Sequence, residues 1–167
     1  GLFQVESPQL STWCKKVEPK NLHDLAMILA MVRPGVLNAK DSQGRSMAQV
    51  ICDRKKGLEP VTYAHPILER ALKDTYGVLL YQESLMMIAE DVAGWSKLKG
   101  LELQKAIAKK KADAVSKLKV EFIEDATLFG AVTKEEATMI YESMEASARY
   151  LFNAGHSYSY AYVSYTT

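Results

Sequence analysis

The chain has 167 residues, of which 48% are hydrophobic and 25% are charged, and its formal net charge is +1. This balance is typical of a globular protein and excludes collagen-like, disordered and disulfide-rich classes. A chain of this length corresponds to about one domain with a sizeable core. Its longest apolar stretch, residues 25–32, has eight residues, far short of the ~20 that a membrane-spanning helix needs.

Apolar spacing predicts two helices in the first part of the chain. Ser7 before Pro8 is typical of a helix start, and apolar residues follow at helical spacing as far as Val17. Asn21 can cap a second helix, over residues 22–32, which the string Arg33-Pro34-Gly35 should end. Because this second helix is apolar on nearly all sides, we expect it to be central.

The next part of the chain has weaker periodicity. Residues 37–44 predict a loop, residues 46–54 are ambiguous, and residues 60–66 predict a connector. A short helix is predicted over residues 67–73. The apolar run at residues 78–81 locally resembles a strand.

Helical spacing returns in the last half of the chain. It predicts helices over residues 82–92 and 115–126, with Gly94 and Gly130 as their ends. A capping box at residues 133–136 opens a helical stripe that extends to Phe152. The tyrosines of the tail fit both a strand, at alternate positions, and a helix, at positions i, i+4 and i+7.

Charge is distributed unevenly along the chain. Residues 94–120 hold eight lysines and two acids, whereas residues 121–145 hold seven acids and one lysine. The basic segment can attract a polyanion, and the alternative is that both segments form solvated helix faces. The two cysteines, Cys14 and Cys52, could pair, but we expect reduced thiols.

The sequence lacks the motifs of several common active sites. The chain has no glycine-rich phosphate-binding loop and no G-x-S-x-G elbow. Its three histidines have no cysteine or acid at ligand spacing, so we expect no zinc site. Because no Asp-x-Asp pair occurs, we expect the chain to hold no catalytic carboxylates and to bind no metal itself.

Cations and aromatic residues remain as candidates for holding a phosphorylated ligand. Lys105 and Lys109 have the i and i+4 spacing of one helix face, and Lys110 and Lys111 adjoin them. Tyrosines near His156 could stack on a base while the imidazole reaches a phosphate or a sugar. The alternatives are a solvated lysine face, core tyrosines and a structural histidine.

Six groups of short strings occur in a characteristic order. They are Gly1-Leu2-Phe3-Gln4-Val5-Glu6-Ser7; Arg33-Pro34-Gly35; Arg54-Lys55 with Gly57; Thr75-Tyr76-Gly77-Val78 running into Tyr81-Gln82-Glu83; Ala106 with Lys109-Lys110-Lys111; and Phe152-Asn153 with His156, Tyr160-Ala161 and Val163-Ser164-Tyr165. Together they resemble the fingers region of C-family bacterial replicative DNA polymerases, the alpha subunit of DNA polymerase III. The resemblance implies an all-α, multi-helix fingers-type domain over residues 1–167, with a helical tail and truncated at both ends relative to the parent polymerase.

The resemblance also implies a function for the intact protein, that of a DNA-directed DNA polymerase. Its Mg²⁺ would be held by acidic residues of a palm domain that this chain lacks, so the fragment alone should be inactive. Implied partners are primer-template DNA, deoxynucleoside triphosphates, the remaining polymerase domains and other replisome subunits. The implied location is the cytoplasm of a bacterial or phage-infected cell, with no membrane partner.

The resemblance assigns candidate site residues where the strings match. Nucleotide binding is expected from Lys105, Lys109 and His156, and secondary DNA or nucleotide contacts are expected from Arg33, Arg54, Lys55, Lys110, Asn153 and Tyr160. Gln104 and Lys105 stand where the family has two arginines, Ala108 replaces a usual glycine, and Ala154-Gly155 replace a usual Lys-Ser. These departures are typical of a divergent member, such as a phage-encoded one.

Two alternatives to the polymerase hypothesis are kept open. The first is a non-catalytic helical module that binds nucleic acid or a protein partner through residues 94–120. The second is a plain helical scaffold that binds neither DNA nor nucleotide.

Overall fold

A computed structural model describes residues 7–148 and 151–166, with only the backbone of Tyr165. Residues 1–6, which carry most of the first family string, lie outside the described part. Across the described residues the chain forms ten α-helices and no strand, which confirms the all-α fold. The helices are α1 Pro8–Val17, α2 Leu22–Met31, α3 Pro34–Asn38, α4 Met47–Lys55, α5 Glu69–Leu72, α6 Glu83–Ala93, α7 Lys97–Ala108, α8 Ala112–Phe129, α9 Lys134–Ser147 and α10 Ala154–Thr166.

The described residues divide into two compact units. The first comprises residues up to Val61 together with those from Phe152 onward, and the second comprises those within Thr62–Leu151. That both units belong to one fingers region over residues 1–167 stays a prediction. None of the described helices is both long and apolar enough to cross a membrane.

Helix α2 is the centre of the first unit, as its apolar surface predicted. Ala26, Met27, Ile28, Ala30 and Met31 are fully buried. Helix α10 packs along α2, and α1 also contacts it. A helix that is apolar on nearly all sides needs neighbours on several sides, and these two helices provide them.

Helices α6 to α9 enclose the core of the second unit. The Phe122 ring lies at its centre, 5.6 Å from the Trp95 ring and 5.3 Å from the Tyr141 ring, measured between ring centres. Gly100 allows α6 and α7 to approach closely, because a Cβ there would lie 3.3 Å from the Cα of Met86. Aromatic pairs at these distances add to the stability that burial alone gives.

The predicted helix ends are confirmed where they depend on local capping. The Ser7 and Asn21 side chains accept hydrogen bonds from the backbone N–H groups of Leu10 and Asp24. Thr133 and Glu136 form the predicted capping box at the start of α9. Gly94 and Gly130 take the left-handed conformation after α6 and α8, as predicted.

Several predicted boundaries were wrong. Residues 78–81 are not a strand: they form a buried irregular segment, in which the Thr75 hydroxyl donates to the Val78 carbonyl. Within this segment Tyr81 forms a single β-bridge, which is too short to be a strand. Residues 37 and 38, where the predicted loop begins, belong to helix α3, and the ambiguous segment is α4.

The end of the chain also differs from the periodic pattern. The apolar spacing predicts that the helix after the capping box extends to Phe152. Helix α9 instead ends at Ser147, so Phe152 lies beyond it. The tail is helix α10, as the family resemblance implied, and its alternating tyrosines do not form a strand. The side chain of Tyr165 lies outside the described part.

The two cysteines are free thiols, as expected. Burial raises the pKa of both Cys14 and Cys52. A thiol with a raised pKa is a weak nucleophile at neutral pH, so neither residue has the character of a reactive cysteine.

Candidate functional site

Four lysines lie close together in the sequence where α7 ends and α8 begins. We call Lys105, Lys109, Lys110 and Lys111 the lysine corner. Helix α7 ends at Ala108, so of these four lysines only Lys105 lies inside the helix. The Lys109 N–H still donates to the Lys105 carbonyl, at 3.0 Å, which keeps the two residues one helical turn apart.

At the lysine corner, a residue other than glycine takes the left-handed conformation at which the chain changes direction. Lys110 has φ of +53°, in the left-handed region that favours glycine. Its N–H donates to the Ile107 carbonyl, and the N–H of Lys111 donates to the Ala106 carbonyl. This pair of hydrogen bonds is a Schellman motif, which closes the helix and places three lysines in sequence at the turn.

The ammonium groups of the lysine corner are not neutralised within the described residues. All four side chains are exposed, and none forms an ion pair there. Two other lysines of the basic segment do: Lys99 pairs with Glu121, and Lys119 pairs with Glu142 at 3.2 Å. Hydrogen bonds to these carboxylates raise the pKa of Lys99 and Lys119. The acidic segment therefore offsets part of the basic segment and leaves the lysine corner charged.

The surroundings of the lysine corner are largely apolar. A cavity of about 230 Å³ is lined by Ile107, Lys110, Ala112, Val115, Glu145 and Ala148. Gln104, where the family has an arginine, has a buried side-chain oxygen with no hydrogen-bond partner among the described residues. Gln104 thus contributes no cation at this end of α7, and Lys105 is the charged residue that follows it in the chain.

His156 lies in the first turn of α10, within the first unit. The Asn153 side chain accepts a hydrogen bond from the His156 backbone N–H, at 2.9 Å, and so caps the helix. The exposed imidazole lies between two rings, with centres 5.5 Å from Phe152 and 4.4 Å from Tyr160. The structure thereby brings His156, Asn153 and Tyr160 together, and their role in binding stays a prediction.

Arg33 lines the same cavity as Phe152 and His156. The cavity measures about 340 Å³ and is lined by Ser7, Gln9, Leu10, Leu29, Val32, Arg33, Phe152 and His156. The Arg33 guanidinium lies over the Phe152 ring, 4.2 Å from the ring centre. Burial lowers the pKa of Arg33. A cleft with an apolar floor, an aromatic face and two basic side chains suits a planar, anionic ligand.

Arg54 and Lys55 have partners inside the protein. The Arg54 guanidinium donates to Glu59 at 3.0 Å. The Lys55 ammonium lies 3.5 Å from the Asp24 carboxylate and donates to the last carbonyls of α1, at Val17 and Glu18. The Lys55 side chain is only 10% exposed. The pairings join neighbouring elements, which is a structural use of both cations.

The candidate residues therefore form two groups. Lys105, Lys109 and Lys110 lie together in the second unit, whereas Arg33, Asn153, His156 and Tyr160 lie together in the first. That both groups bind the same nucleotide stays a prediction. Sequence reasoning missed Phe152 as the link between Arg33 and His156, because no local spacing relates residues so far apart in the chain.

A metal site is not formed by the described residues. Within residues 7–148 and 151–166, no three His, Cys, Asp or Glu side chains come together as a metal ion would require. The donor set of this part of the chain therefore does not fit a bound metal.

Comparison with known proteins places the chain in a family. Residues 1–130 match the model of the bacterial DNA polymerase III alpha subunit finger domain. Because this match covers more than half of the chain, the chain belongs to that family.

The relatives have names that agree with this assignment. The chain is 38% identical over 167 residues to a DNA polymerase III subunit alpha of Aquifex aeolicus. It is 37% identical over 162 residues to an error-prone DNA polymerase of Nocardia farcinica, and 34% identical over 167 residues to a DNA polymerase III subunit alpha of Chlamydia pneumoniae. These matches cover 96–100% of this chain but only 13–14% of each relative.

Proposed function

We propose that the chain is the fingers portion of a DNA-directed DNA polymerase and binds the incoming deoxynucleoside triphosphate beside primer-template DNA. Membership of the finger-domain family supports the assignment to a polymerase. The observation that carries nucleotide binding is the lysine corner, whose exposed ammonium groups have no ion-pair partner among the described residues. In this proposal, acidic residues outside this chain hold Mg²⁺.

The lysine corner would act by electrostatic stabilisation. Nucleotidyl transfer places growing negative charge on the departing pyrophosphate. Lys105 and Lys109, one turn apart, would face that charge from fixed positions, which lowers the barrier without any proton transfer by this chain. The Schellman turn helps because it fixes the backbone from which Lys109 and Lys110 project.

The group around His156 is proposed to contact nucleotide or DNA as well. Its imidazole can donate to a phosphate or a sugar oxygen, and the Tyr160 ring offers a surface on which a base can stack. Lys110 and Asn153 are proposed as secondary contacts to DNA or nucleotide, whereas Arg33, which lies over the Phe152 ring, acts on this group rather than on the ligand. Arg54 and Lys55 are the weakest members of this set, since protein groups already pair with their cations.

Replacement of one lysine tests the proposal. In the full-length polymerase that contains this chain, Lys105→Ala should lower kcat/KM for deoxynucleoside triphosphates about 10-fold or more, because a charge-assisted contact to a phosphate is lost from the transition state. The fold should persist, since alanine is well tolerated at an exposed helix position. Steady-state primer extension measures the effect.

Lys134→Ala is the matched control, because Lys134 is an exposed lysine of the second unit outside the basic segment. Its kcat/KM should equal that of the parent. A Lys105→Ala enzyme with the parent's kcat/KM would remove Lys105 from the site.

A non-catalytic nucleic-acid-binding module is the second candidate, and the excess of lysines in residues 94–120 favours it. Such a module would bind DNA with a steep salt dependence because bound lysines release counterions. Titration of the chain with duplex DNA at several salt concentrations, with and without nucleotide, separates the two. Binding that nucleotide does not alter would favour the module.

A further inference from the structure

A line of stacked side chains connects the centre of the first unit with His156. The Arg33 guanidinium lies over the face of Phe152, Phe152 meets His156 edge-on, and His156 meets Tyr160 in the same way. We call these four residues the Arg33 stack. Arg33 comes from the residues between α2 and α3, whereas His156 and Tyr160 belong to α10.

At one end of the stack, a hydrogen bond fixes the Arg33 side chain to the core of the unit. The Arg33 Nε donates to the Ala30 carbonyl at 2.7 Å, in the last turn of α2. Ala30 and its neighbour Met31 are fully buried in the core of the unit. A guanidinium held in this way stays over the Phe152 ring, whose negative face attracts the cation.

At the other end, the His156 ring lacks a comparable hydrogen bond within the described residues. The Asn153 cap holds the His156 backbone N–H and leaves the ring free to rotate. Among the described residues, no hydrogen bond reaches either nitrogen of the His156 ring. The orientation of the imidazole therefore depends on its edge-to-face contacts with Phe152 and Tyr160.

We propose that Arg33 is a positioning residue for His156. By holding Phe152 in place, Arg33 restricts the rotation of the His156 imidazole and keeps it oriented for the phosphate or sugar of a deoxynucleoside triphosphate. The role toward nucleotide rests on the proposed function, whereas the orientation of the ring does not. Arg33 acts through Phe152 and needs no contact with the nucleotide.

The orientation is tested without nucleotide by NMR of the His156 ring protons in this chain. His156→Asn assigns the signals. Arg33→Gln should shift them, because the loss of the cation lets Phe152 move and changes the ring currents at His156. Lys16→Gln is the matched control: it removes a cation 4.7 Å from the centre of the Trp13 ring and should leave the His156 signals in place.

Unchanged His156 signals in a folded Arg33→Gln chain would overturn the proposal. If Arg33→Gln fails to fold, Arg33→Lys keeps the charge but not the flat stacking surface, and Phe152→Leu keeps an apolar side chain without the ring. Both should shift the same signals, and constant signals in both would equally contradict it.

Kinetics of the full-length polymerase test the consequence for nucleotide use. Arg33→Gln should raise the KM for deoxynucleoside triphosphates about 3-fold or more, in the same direction as His156→Ala. The double variant should be no worse than His156→Ala alone, because Arg33 acts only through that ring. Multiplied losses would indicate an independent role for Arg33 and overturn the proposal.

The two experiments separate failure of this inference from failure of the proposed function. If His156→Ala leaves the KM unchanged, the nucleotide role of His156 is lost. The NMR comparison then still decides whether Arg33 orients the imidazole.

Discussion

Lys110 combines an unfavourable backbone conformation with an exposed charge. A residue other than glycine in the left-handed region costs about 1 kcal/mol or more, and Lys110 occupies that region at the end of α7. The Schellman hydrogen bonds of the turn do not require a lysine side chain. A strained residue at a candidate site is consistent with selection for its side chain at the expense of stability.

Lys110→Gly should therefore stabilise the chain and weaken its binding of anions. We expect the free energy of unfolding to rise by about 0.5 to 1 kcal/mol, because glycine relieves the strain at this position. Affinity for DNA or nucleotide should fall, because one ammonium group is lost. Urea unfolding and a binding titration measure the two effects.

Lys109→Gly is the control, because Lys109 has φ of −87° and gains nothing from glycine. It should lower the free energy of unfolding. An Lys110→Gly chain that is no more stable than the parent would show that the left-handed turn is not strained in solution.

The contact between α8 and α9 illustrates how whole elements are joined in the second unit. Tyr141 is fully buried on α9, and its hydroxyl donates to the Val115 carbonyl of α8 at 2.7 Å. Burial raises the pKa of Tyr141 above its usual range. Because the hydroxyl has a partner, this fully buried tyrosine is accommodated without an orphaned polar group.

Tyr141→Phe should lower the free energy of unfolding by about 1 kcal/mol, because the Val115 carbonyl loses its donor while the packing is kept. Since the folded pKa lies above the unfolded one, the protonated hydroxyl stabilises the fold below the unfolded pKa, and this contribution is lost as the pH rises. The parent should consequently show a steeper loss of stability in alkaline solution than Tyr141→Phe.

Tyr162→Phe is the matched control, because Tyr162 is exposed on α10. Its free energy of unfolding and its pH dependence should equal those of the parent. Equal stability of Tyr141→Phe and the parent would argue against the hydrogen bond between α8 and α9.

At the scale of the whole molecule, carboxylates in both units are stabilised in their charged form. Hydrogen bonds from Arg45 and Arg54 lower the pKa of Glu59 in the first unit. In the second unit, hydrogen bonds from Thr133 lower the pKa of Glu136, and His65 beside it acts in the same direction. Each folded pKa lies below the ordinary value of 4.5.

Stability should therefore fall in acid. A carboxyl group with a lowered folded pKa stabilises the fold above its unfolded pKa, and this contribution disappears as the pH drops through the folded value. We expect the urea midpoint to be constant from pH 7 to about 5 and to decrease below about pH 4.5.

Arg45→Gln should lower the midpoint at pH 7 and reduce its further decrease in acid, because Glu59 loses its main hydrogen-bond donor. Lys40→Gln is the control, because it leaves the carboxylates around Arg45 with their partner. An Arg45→Gln chain with the parent's full acid dependence would show that these carboxylates do not govern it.

The sequence predicted the elements that depend on neighbouring residues. The N-caps at Ser7 and Asn21, the capping box at Thr133 and the glycine stops at Gly94 and Gly130 involve contacts within a few residues, so their motifs suffice. The apolar run at residues 78–81 was misread, because a strand needs a partner that spacing cannot supply.

The sequence by itself determined the family and the helical class, because each family string and each helix cap consists of residues close together in the chain. Only the tertiary structure decided which cations are available. Lys55 is paired with Asp24, Lys99 with Glu121, and Arg33 is stacked on Phe152, whereas Lys105 and Lys109 remain exposed. The physical reason is that ion pairing and stacking depend on distances between side chains remote in the chain, and folding alone sets those distances.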